Sequence, residues 1–386
     1  MKSKFFVALP LLAVLIGCSE TSTDPGSAAN DPKPIPASLS AWATAADLSL
    51  PGDAVVQIPG LESRWDSVAN LVRHSDEVRK DLQTIFADWN SRTPQARDWD
   101  ALDSSTSSSG GKLYLTAFSV DGIRQGGLVW IPATTGPTPV ILFGHPSDNG
   151  ISNTIFALLE RLMGTTKNQC IVVMPAFRGE TADLGGKIIP SNALTASPWD
   201  RDVDDGLAML QAVLDKFPQA DASRISAVGY SRGAGVALLS ALRDRRIKSV
   251  FEISGPTDFF AASIQNLSKD LSAGKSIALP GLDVIESKYL VPFRNGTISA
   301  DSLRTVLLAR SAARLAISGL LPTTVAVHGT ADTVVYPDQA AALKSADSRV
   351  DHQSFPGMTH TSMLFGADQP KVAQSLQSFL KAVFGL

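Results

Sequence analysis

The sequence predicts an α/β fold with a mostly parallel, eight-stranded sheet, helices on both faces and a helical cap insertion. Short apolar runs alternate with helical patterns, and runs without polar alternation are typical of strands buried on both faces. One interval, residues 259–315, is far longer than a single crossover helix and indicates an insertion. The main parallel strands are expected at residues 140–143, 170–174, 225–228, 250–253 and 324–327.

The N-terminus, residues 1–18, has the pattern of an export leader. Lysines precede an apolar run over residues 5–16, which is too short to span a bilayer but suits a signal peptide. It ends in Leu-Ile-Gly-Cys, which resembles the lipobox of bacterial lipoproteins and implies a lipid on Cys18. By the same resemblance, Ser19 implies an outer-membrane protein of the bacterial cell envelope. An ordinary signal peptide cut further on is the alternative, although no small-x-small site lies next to the apolar run.

Two segments separate this leader from the main domain. Residues 19–40 are rich in Ser, Thr, Asp, Pro and Gly, which is the composition of a flexible tether. Residues 41–111 are expected to be an N-terminal helical segment packed on the core, because apolar positions over 67–89 recur three or four apart. The low-complexity stretch 104–111 then predicts a boundary. We expect the main domain at 112–386.

Composition narrows the classes of function. A net charge of -3 and a pI near 6.0 leave no basic excess for a nucleic-acid partner. Of the two cysteines, Cys18 lies in the leader and Cys170 in the main domain, so no disulfide framework is expected.

The main domain is expected to begin with a hairpin. Strands over 112–120 and 122–132 flank an Asp121-Gly122 turn, and residues 349–355 resemble the last strand. The insertion at 259–315 is expected to lie over the strand ends as a cap. Helical patterns cover residues 153–163, 202–217, 233–242, 338–346 and 371–384.

Residues 229–233 read Gly-Tyr-Ser-Arg-Gly, a GxSxG pattern between a predicted strand and a predicted helix. This context predicts a nucleophile elbow with Ser231 at its tip. Gly229 and Gly233 suit it, because a strained turn leaves no room for neighbouring Cβ atoms. A glycine-rich turn without chemistry is the alternative.

A nucleophilic serine needs a base and an acid that orients the base. The chain order Ser, acid, His places the base after the last strand, which leaves two of five histidines, His352 and His360. His360 is favoured because it follows the strand that contains His352. Asp332 is the favoured acid, since it lies in a turn just past a buried strand. Asp258, one strand earlier, is the alternative.

Negative charge on a reacting carbonyl oxygen needs fixed N–H donors. The backbone N–H of Arg232, directly after the serine, is the first expected donor. The second is expected from the loop after residue 144, where Pro146 has no N–H. Ser147 is favoured there, and His145 is either a donor or a wall residue.

Together these motifs resemble the α/β-hydrolase fold over residues 112–386, and within it prolyl oligopeptidase-like and dienelactone hydrolase-like proteins. The resemblance implies that Arg178 pairs structurally with Asp202 or Asp205. Two departures separate the chain from the peptidases: residues 1–111 are too few for a propeller, and GHPSD stands in place of the HGG loop. The motifs are GYSRGAG (229–235), HGTADTVVYPDQA (328–340), GMTH (357–360), PAFRGE (175–180) and DRDVDDGLAMLQAVL (200–214).

The resemblance implies a secreted, lipid-anchored serine hydrolase that cleaves carboxylic esters through an acyl-enzyme, with no metal and no organic cofactor. The expected partners are a small-molecule ester, or a short peptide, and a membrane held through Cys18. The alternatives are a peptidase acting on short peptides and a noncatalytic envelope lipoprotein that binds a partner. Phe259, Phe260, Tyr289 and Trp199 either border the substrate cleft or pack in the core.

Overall fold

The computed structural model describes residues 56–57, 72–73, 75–92 and 94–386, with side chains from residue 81 onward. The predicted leader, Cys18 and the 19–40 tether lie outside the described residues. Within the described ranges, no helix combines the length and the apolar character that crossing a membrane requires.

The described strands form one large sheet and two small ones. The large sheet has nine strands in the order β14-β13-β12-β11-β6-β8-β5-β4-β3, with β14 through β8 parallel and β5, β4 and β3 antiparallel. The mostly parallel sheet is therefore confirmed, with nine strands in place of eight. The strands are β1 (Val56–Gln57), β2 (Val72–Arg73), β3 (Arg97–Thr106), β4 (Lys112–Val120), β5 (Ile123–Ile131), β6 (Thr138–Gly144), β7 (Ile151–Ser152), β8 (Ile171–Pro175), β9 (Thr181–Leu184), β10 (Lys187–Pro190), β11 (Ala220–Tyr230), β12 (Ile247–Ile253), β13 (Thr323–Gly329) and β14 (Asp351–Phe355).

Both faces of the interior parallel strands are buried, which explains the continuous apolar runs. Along β6, Val140 and Leu142 join one apolar core, whereas Ile141 and Phe143 join the other. Successive side chains of a strand point to opposite faces, so a strand covered on both sides needs apolar residues at every position.

The ninth strand corrects the predicted boundary at 104–111. β3 pairs antiparallel with β4, and the turn between them is closed by hydrogen bonds from Ser107 N to Gly111 O (2.9 Å) and from Gly110 N to Ser107 O (3.0 Å). The serine-rich stretch is thus part of a hairpin in the sheet. β3 is largely exposed and reads RDWDALDSST, so it lacks the apolar alternation that predicts a strand.

Helices lie against both faces. α1 begins at Ser75, eight positions after the predicted start at 67, because Val72–Arg73 is a strand. Its Leu82, Ile85 and Phe86 are buried in the core. The helices are α1 (Ser75–Ser91), α2 (Asn153–Met163), α3 (Arg201–Lys216), α4 (Arg232–Arg243), α5 (Ala262–Ser272), α6 (Leu282–Ile285), α7 (Val291–Arg294), α8 (Ala300–Leu308), α9 (Ala312–Leu315), α10 (Asp338–Ala346), α11 (Ser362–Phe365) and α12 (Gln369–Phe384).

The predicted insertion at 259–315 is helical and contains α5 to α9. A partly buried ion pair joins its two ends: Arg314 donates to Asp258 from Nε (3.0 Å) and Nη2 (2.7 Å). The backbone adds bonds from Phe259 N to Ser311 Oγ (3.0 Å) and from Ala313 N to Thr257 O (2.9 Å). The insertion is therefore closed at its base.

Candidate active site

Ser231 lies in a strained turn between the interior strand β11 and α4. Its backbone has φ +55° and ψ -129°, a conformation that L-residues rarely adopt, and its N–H donates to Ile253 O (2.9 Å). The flanking glycines are required by space. A Cβ on Gly229 would lie 2.3 Å from Gly233 O, and one on Gly233 would lie 2.1 Å from the carbonyl of Gly144. This is the sharp strand-to-helix turn that the sequence predicts.

His360 and Asp332 complete a hydrogen-bonded chain with Ser231. His360 Nε2 lies 2.9 Å from Ser231 Oγ, and His360 Nδ1 lies 2.7 Å from Asp332 Oδ2. An ionised carboxylate can only accept, so Nδ1 carries the proton and Nε2 is free to accept from the serine hydroxyl. Asp332 Oδ1 accepts from the backbone N–H groups of Val334 (2.9 Å) and Val335 (3.0 Å), which hold the carboxylate in place.

Strand order brings these three residues together. The segments that carry them follow β11, β13 and β14, whose carboxyl ends meet at one edge of the sheet. In open α/β sheets, ligands bind at this edge. The chain separations of 129 residues from Ser231 to His360 and 28 from Asp332 to His360 are therefore no obstacle.

Tyr230 supports the histidine, a role that the sequence did not suggest. Its hydroxyl donates to the backbone O of His360 (2.8 Å), and its ring stacks on the imidazole with 4.9 Å between ring centroids. Burial raises the pKa of the Tyr230 hydroxyl, so it remains a neutral donor. Its position directly before Ser231 is the sequence feature that could have indicated this role.

The alternative base and acid have other partners. His352 lies on β14 as expected, with its Nε2 3.3 Å from Ser354 Oγ. Asp258 is held by Arg314 at the base of the insertion. His328 is buried and donates from Nε2 to Val335 O (2.8 Å), which stabilises the turn that carries Asp332. Burial lowers the pKa of His328, so this histidine is neutral.

The two residues expected to supply N–H donors lie on segments that contact each other. Arg232 is the first residue of α4, where a helix has no internal acceptor for its N–H groups. The loop of residues 145–150 follows β6, the neighbour of β11, and its start packs on Gly233. Ser147 has φ +65°, and its O accepts from Arg232 Nη1 (3.4 Å), so the 145–150 loop touches the elbow residue directly.

His145 is the first residue of this loop, and its side chain is fully buried, so it does not line an open cleft. Its ring stacks on Phe177 with 4.0 Å between centroids, and Nδ1 donates to Pro146 O (2.9 Å). Burial lowers the pKa of His145 to about 4, so the ring is neutral at physiological pH.

The Arg232 side chain is the centre of a buried charge cluster. Asp202 accepts from its Nη2 (2.7 Å) and Nε (3.2 Å), and Glu180 accepts from its Nη1 (2.5 Å). Burial raises the pKa of both carboxyls, an effect that the nearby guanidinium opposes. Of the two pairings left open for Arg178, the structure has the one with Asp205, through two bonds of 2.6 and 3.2 Å.

From the sequence, only the backbone N–H of Arg232 was expected to have a role, and Glu180 was expected to have none. The PAFRGE motif, which contains Glu180, is the sequence feature that could have indicated its role.

Burial decides between cleft and core for three of the four aromatic residues left open. Phe259, Phe260 and Trp199 are buried in the core, and Trp199 Nε1 donates to Arg232 O (3.0 Å). Tyr289 is half-buried and lies under the guanidinium of Arg310 at 5.2 Å. Trp199 therefore packs directly behind the elbow.

No model of a protein family matches the chain, and no curated protein matches its sequence. Acetyl xylan esterase 1 from Thermoanaerobacterium sp. JW/SL YS485 is similar in structure, with a TM-score of 0.54, 19% identity, and 84% of this chain and 96% of that chain covered. A puromycin-hydrolyzing peptidase of Mycobacterium tuberculosis has a TM-score of 0.49 at 20% identity, covering 75% of this chain and 38% of that chain. Est1E from Butyrivibrio proteoclasticus has a TM-score of 0.48 at 12% identity, covering 70% and 99%.

The sheet order, the elbow after β11 and the first of these similarities show that the chain has the α/β-hydrolase fold. The prediction of this fold from the sequence is confirmed. Similarity at such low sequence identity shows the fold alone, and the chemistry depends on the residues of the site.

Proposed function

We propose that this chain is a serine hydrolase that cleaves carboxylic esters through an acyl-enzyme, with Ser231 as nucleophile, His360 as base and Asp332 as orienting acid. The observation that carries the proposal is the unbroken hydrogen-bonded chain from Asp332 through His360 to Ser231 at a strained elbow. Backbone strain of this kind persists only where the surrounding structure enforces it, and it occurs preferentially at functional sites.

In the acylation step, Ser231 Oγ attacks the ester carbonyl carbon while its proton passes to His360 Nε2. The carbonyl oxygen becomes an oxyanion and accepts from the backbone N–H groups of Arg232 and Ser147. The C–O bond to the alcohol then breaks, and His360 returns the proton to the leaving alkoxide. Asp332 keeps Nδ1 protonated and stabilises the imidazolium that forms in between.

In the deacylation step, a water molecule repeats the sequence. His360 takes a proton from the water as its oxygen attacks the acyl carbon, and collapse of the second oxyanion expels Ser231 Oγ. The proton returns to the serine, and the carboxylic acid leaves. The proposed reaction consumes one water for each ester and involves neither a metal nor an organic cofactor.

An ester is proposed in preference to a peptide because an alkoxide can leave before it is protonated, whereas a peptide nitrogen must first be protonated to leave as an amine. The groups described above are sufficient for such a substrate, and none of them is committed to the charged terminus of a peptide.

We further propose that the chain is anchored through a lipid on Cys18 to the outer membrane of a bacterium, with the pattern of residues 15–18 as support. Labelling of cells with an alkynyl palmitate analogue tests this directly. The wild type is expected to carry the label and Cys18→Ala to lose it. Equal labelling of both would refute the anchor and leave the proposed hydrolysis unaffected.

The hydrolysis is tested with p-nitrophenyl esters from acetate to decanoate, using the full chain in detergent. Ser231→Ala is expected to lower kcat by at least about a thousandfold, because the attacking atom is gone. Ser240→Ala is the matched control, since Ser240 is a buried serine on the same helix, α4. It is expected to keep wild-type rates.

A fluorophosphonate probe provides a second readout that does not depend on the substrate. Labelling of the wild type but not of Ser231→Ala supports the nucleophile even where no ester in the series is cleaved, and directs the search to amides. If the wild type shows no turnover and no labelling, the proposed function is refuted.

A further inference from the structure

The Arg232 side chain reaches the loop that carries the second proposed N–H donor. Its Nη1 donates both to Glu180 Oε1 (2.5 Å) and to Ser147 O (3.4 Å). The backbone N–H groups of the same two residues, Arg232 and Ser147, are the proposed donors to the oxyanion. One guanidinium thus links the two halves of this binding site.

Glu180 links the same two elements from the other side. Its Oε1 accepts from Arg232, and its Oε2 accepts from the backbone N–H of Gly150 (3.1 Å), at the far end of the 145–150 loop. Gly150 has φ +79°, and a Cβ there would lie 2.0 Å from Thr181 O, so the loop is in close contact with the segment after Glu180.

The guanidinium has little freedom to turn. Asp202 holds Nε and Nη2, Glu180 holds Nη1, and the group lies over the Phe177 ring at 4.9 Å. Arg232 is 1% exposed and Glu180 is 7% exposed. Charge-assisted hydrogen bonds between buried groups are strong and directional, so this arrangement sets the orientation of the fork.

We propose that the Glu180–Arg232 ion pair is a positioning device that sets the distance between the 145–150 loop and the first residue of α4, and thereby shapes the oxyanion site. This inference rests on the proposed function. Both residues act here through their side chains, and the backbone N–H groups remain the donors that touch the substrate.

Position matters because N–H donors stabilise an oxyanion only over a narrow range of distance. Donors are effective at about 2.7–3.1 Å, and a displacement of about 1 Å can cost about a hundredfold in rate. The ground-state ester has no full charge on its oxygen, so it is far less sensitive to the same displacement.

Glu180→Gln and Arg232→Lys test the two ends of the pair. Gln has the shape of Glu but only one acceptor oxygen, so it can serve Arg232 or Gly150 but not both. Lys keeps the charge and the backbone N–H of residue 232, but a single ammonium lacks the planar fork.

Each variant has a matched control. Glu286→Gln changes a glutamate that is also 7% exposed and also paired with an arginine, Arg294, but lies within the insertion. Arg178→Lys changes a buried arginine that is forked on Asp205 and does not contact the 145–150 loop in the described bonds. Both controls are expected to keep wild-type kcat.

The expected result for Glu180→Gln and Arg232→Lys is a loss of about ten- to a hundredfold in kcat with KM changed less than threefold. An alkyl trifluoromethyl ketone, whose adduct with Ser231 carries an oxyanion, should lose affinity by the same factor as kcat/KM. Loss of packing alone would not produce this proportionality.

Three outcomes decide the matter. Wild-type kcat and ketone affinity in a folded Glu180→Gln protein would overturn the inference while leaving the proposed function intact. A loss through KM alone would overturn it as well. An inactive wild type whose Ser231 is also unlabelled would overturn the proposed function and the inference together. If Arg232→Lys does not fold, Glu180→Gln decides alone, since Asp202 still pairs with Arg232 there.

Discussion

Replacement of Gly233 by alanine should disable the site by separating two backbones. The new Cβ would lie 2.1 Å from the carbonyl carbon and oxygen of Gly144 and 2.5 Å from His145 O. An ordinary contact begins near 3.4 Å, so β6 and α4 must move apart by about 1.3 Å. Neither side can yield by a rotamer change, because every atom involved is backbone. We therefore expect a loss of about a hundredfold in kcat/KM, since the proposed N–H donors lie on these two segments.

The assay is ester turnover together with thermal unfolding, and Gly206→Ala is the matched control. A Cβ on Gly206, inside α3, would meet its nearest neighbour at 3.7 Å, an ordinary contact. Alanine in a helix interior is favoured over glycine by about 0.5–1 kcal/mol, so this control should raise stability and keep activity. A Gly233→Ala variant that keeps more than a third of wild-type kcat/KM would show that the two backbones can separate without loss of the site, which would refute this prediction.

Three further predictions test the surroundings of the site. Asp332→Asn should lower kcat at least about a thousandfold, whereas Asp258→Asn should lower thermal stability and keep activity within tenfold. Ester turnover and thermal unfolding curves of the two variants test this difference. Tyr230→Phe, which removes the hydrogen bond to His360 O, should cost about 1 kcal/mol in unfolding free energy and less than tenfold in kcat; an unchanged unfolding free energy would contradict the role given to this bond. Burial raises the pKa of Glu252 from 4.5 to about 8, so the folded chain keeps a proton there that the unfolded chain releases, and this group makes stability fall as pH rises from about 4.5 to 8. Glu252→Gln should flatten that fall in melting temperature, and an unchanged pH profile would argue against a protonated Glu252.

The elbow could be predicted from the sequence because the residues that it requires are adjacent in the chain. Gly229, Ser231 and Gly233 stand between an apolar run and a helical pattern, and the structure has the strained turn there. The elements of the parallel sheet were readable for a similar reason, since burial on both faces demands apolar side chains at every position. The edge strand β3 was not, because a largely exposed strand has no such demand.

Other features depend on partners that are distant along the chain. The sequence left Arg178 with two candidate aspartates, and the helical turn of α3 directs Asp205 to Arg178 and Asp202 to Arg232. Phe259 and Phe260 were open between cleft and core, because an aromatic side chain suits both places. Their burial followed only from the way the insertion closes at its base.

The fold class, the elbow and the chain order of serine, acid and histidine were predictable from the sequence, since periodicity and turn chemistry are properties of short segments. Only the folded chain shows the hydrogen bonds from Ser231 through His360 to Asp332, and the cluster of Arg232 and Glu180 behind the 145–150 loop. A hydrogen bond depends on distance and direction in space. The order of the strands in the sheet, which no short segment encodes, sets both.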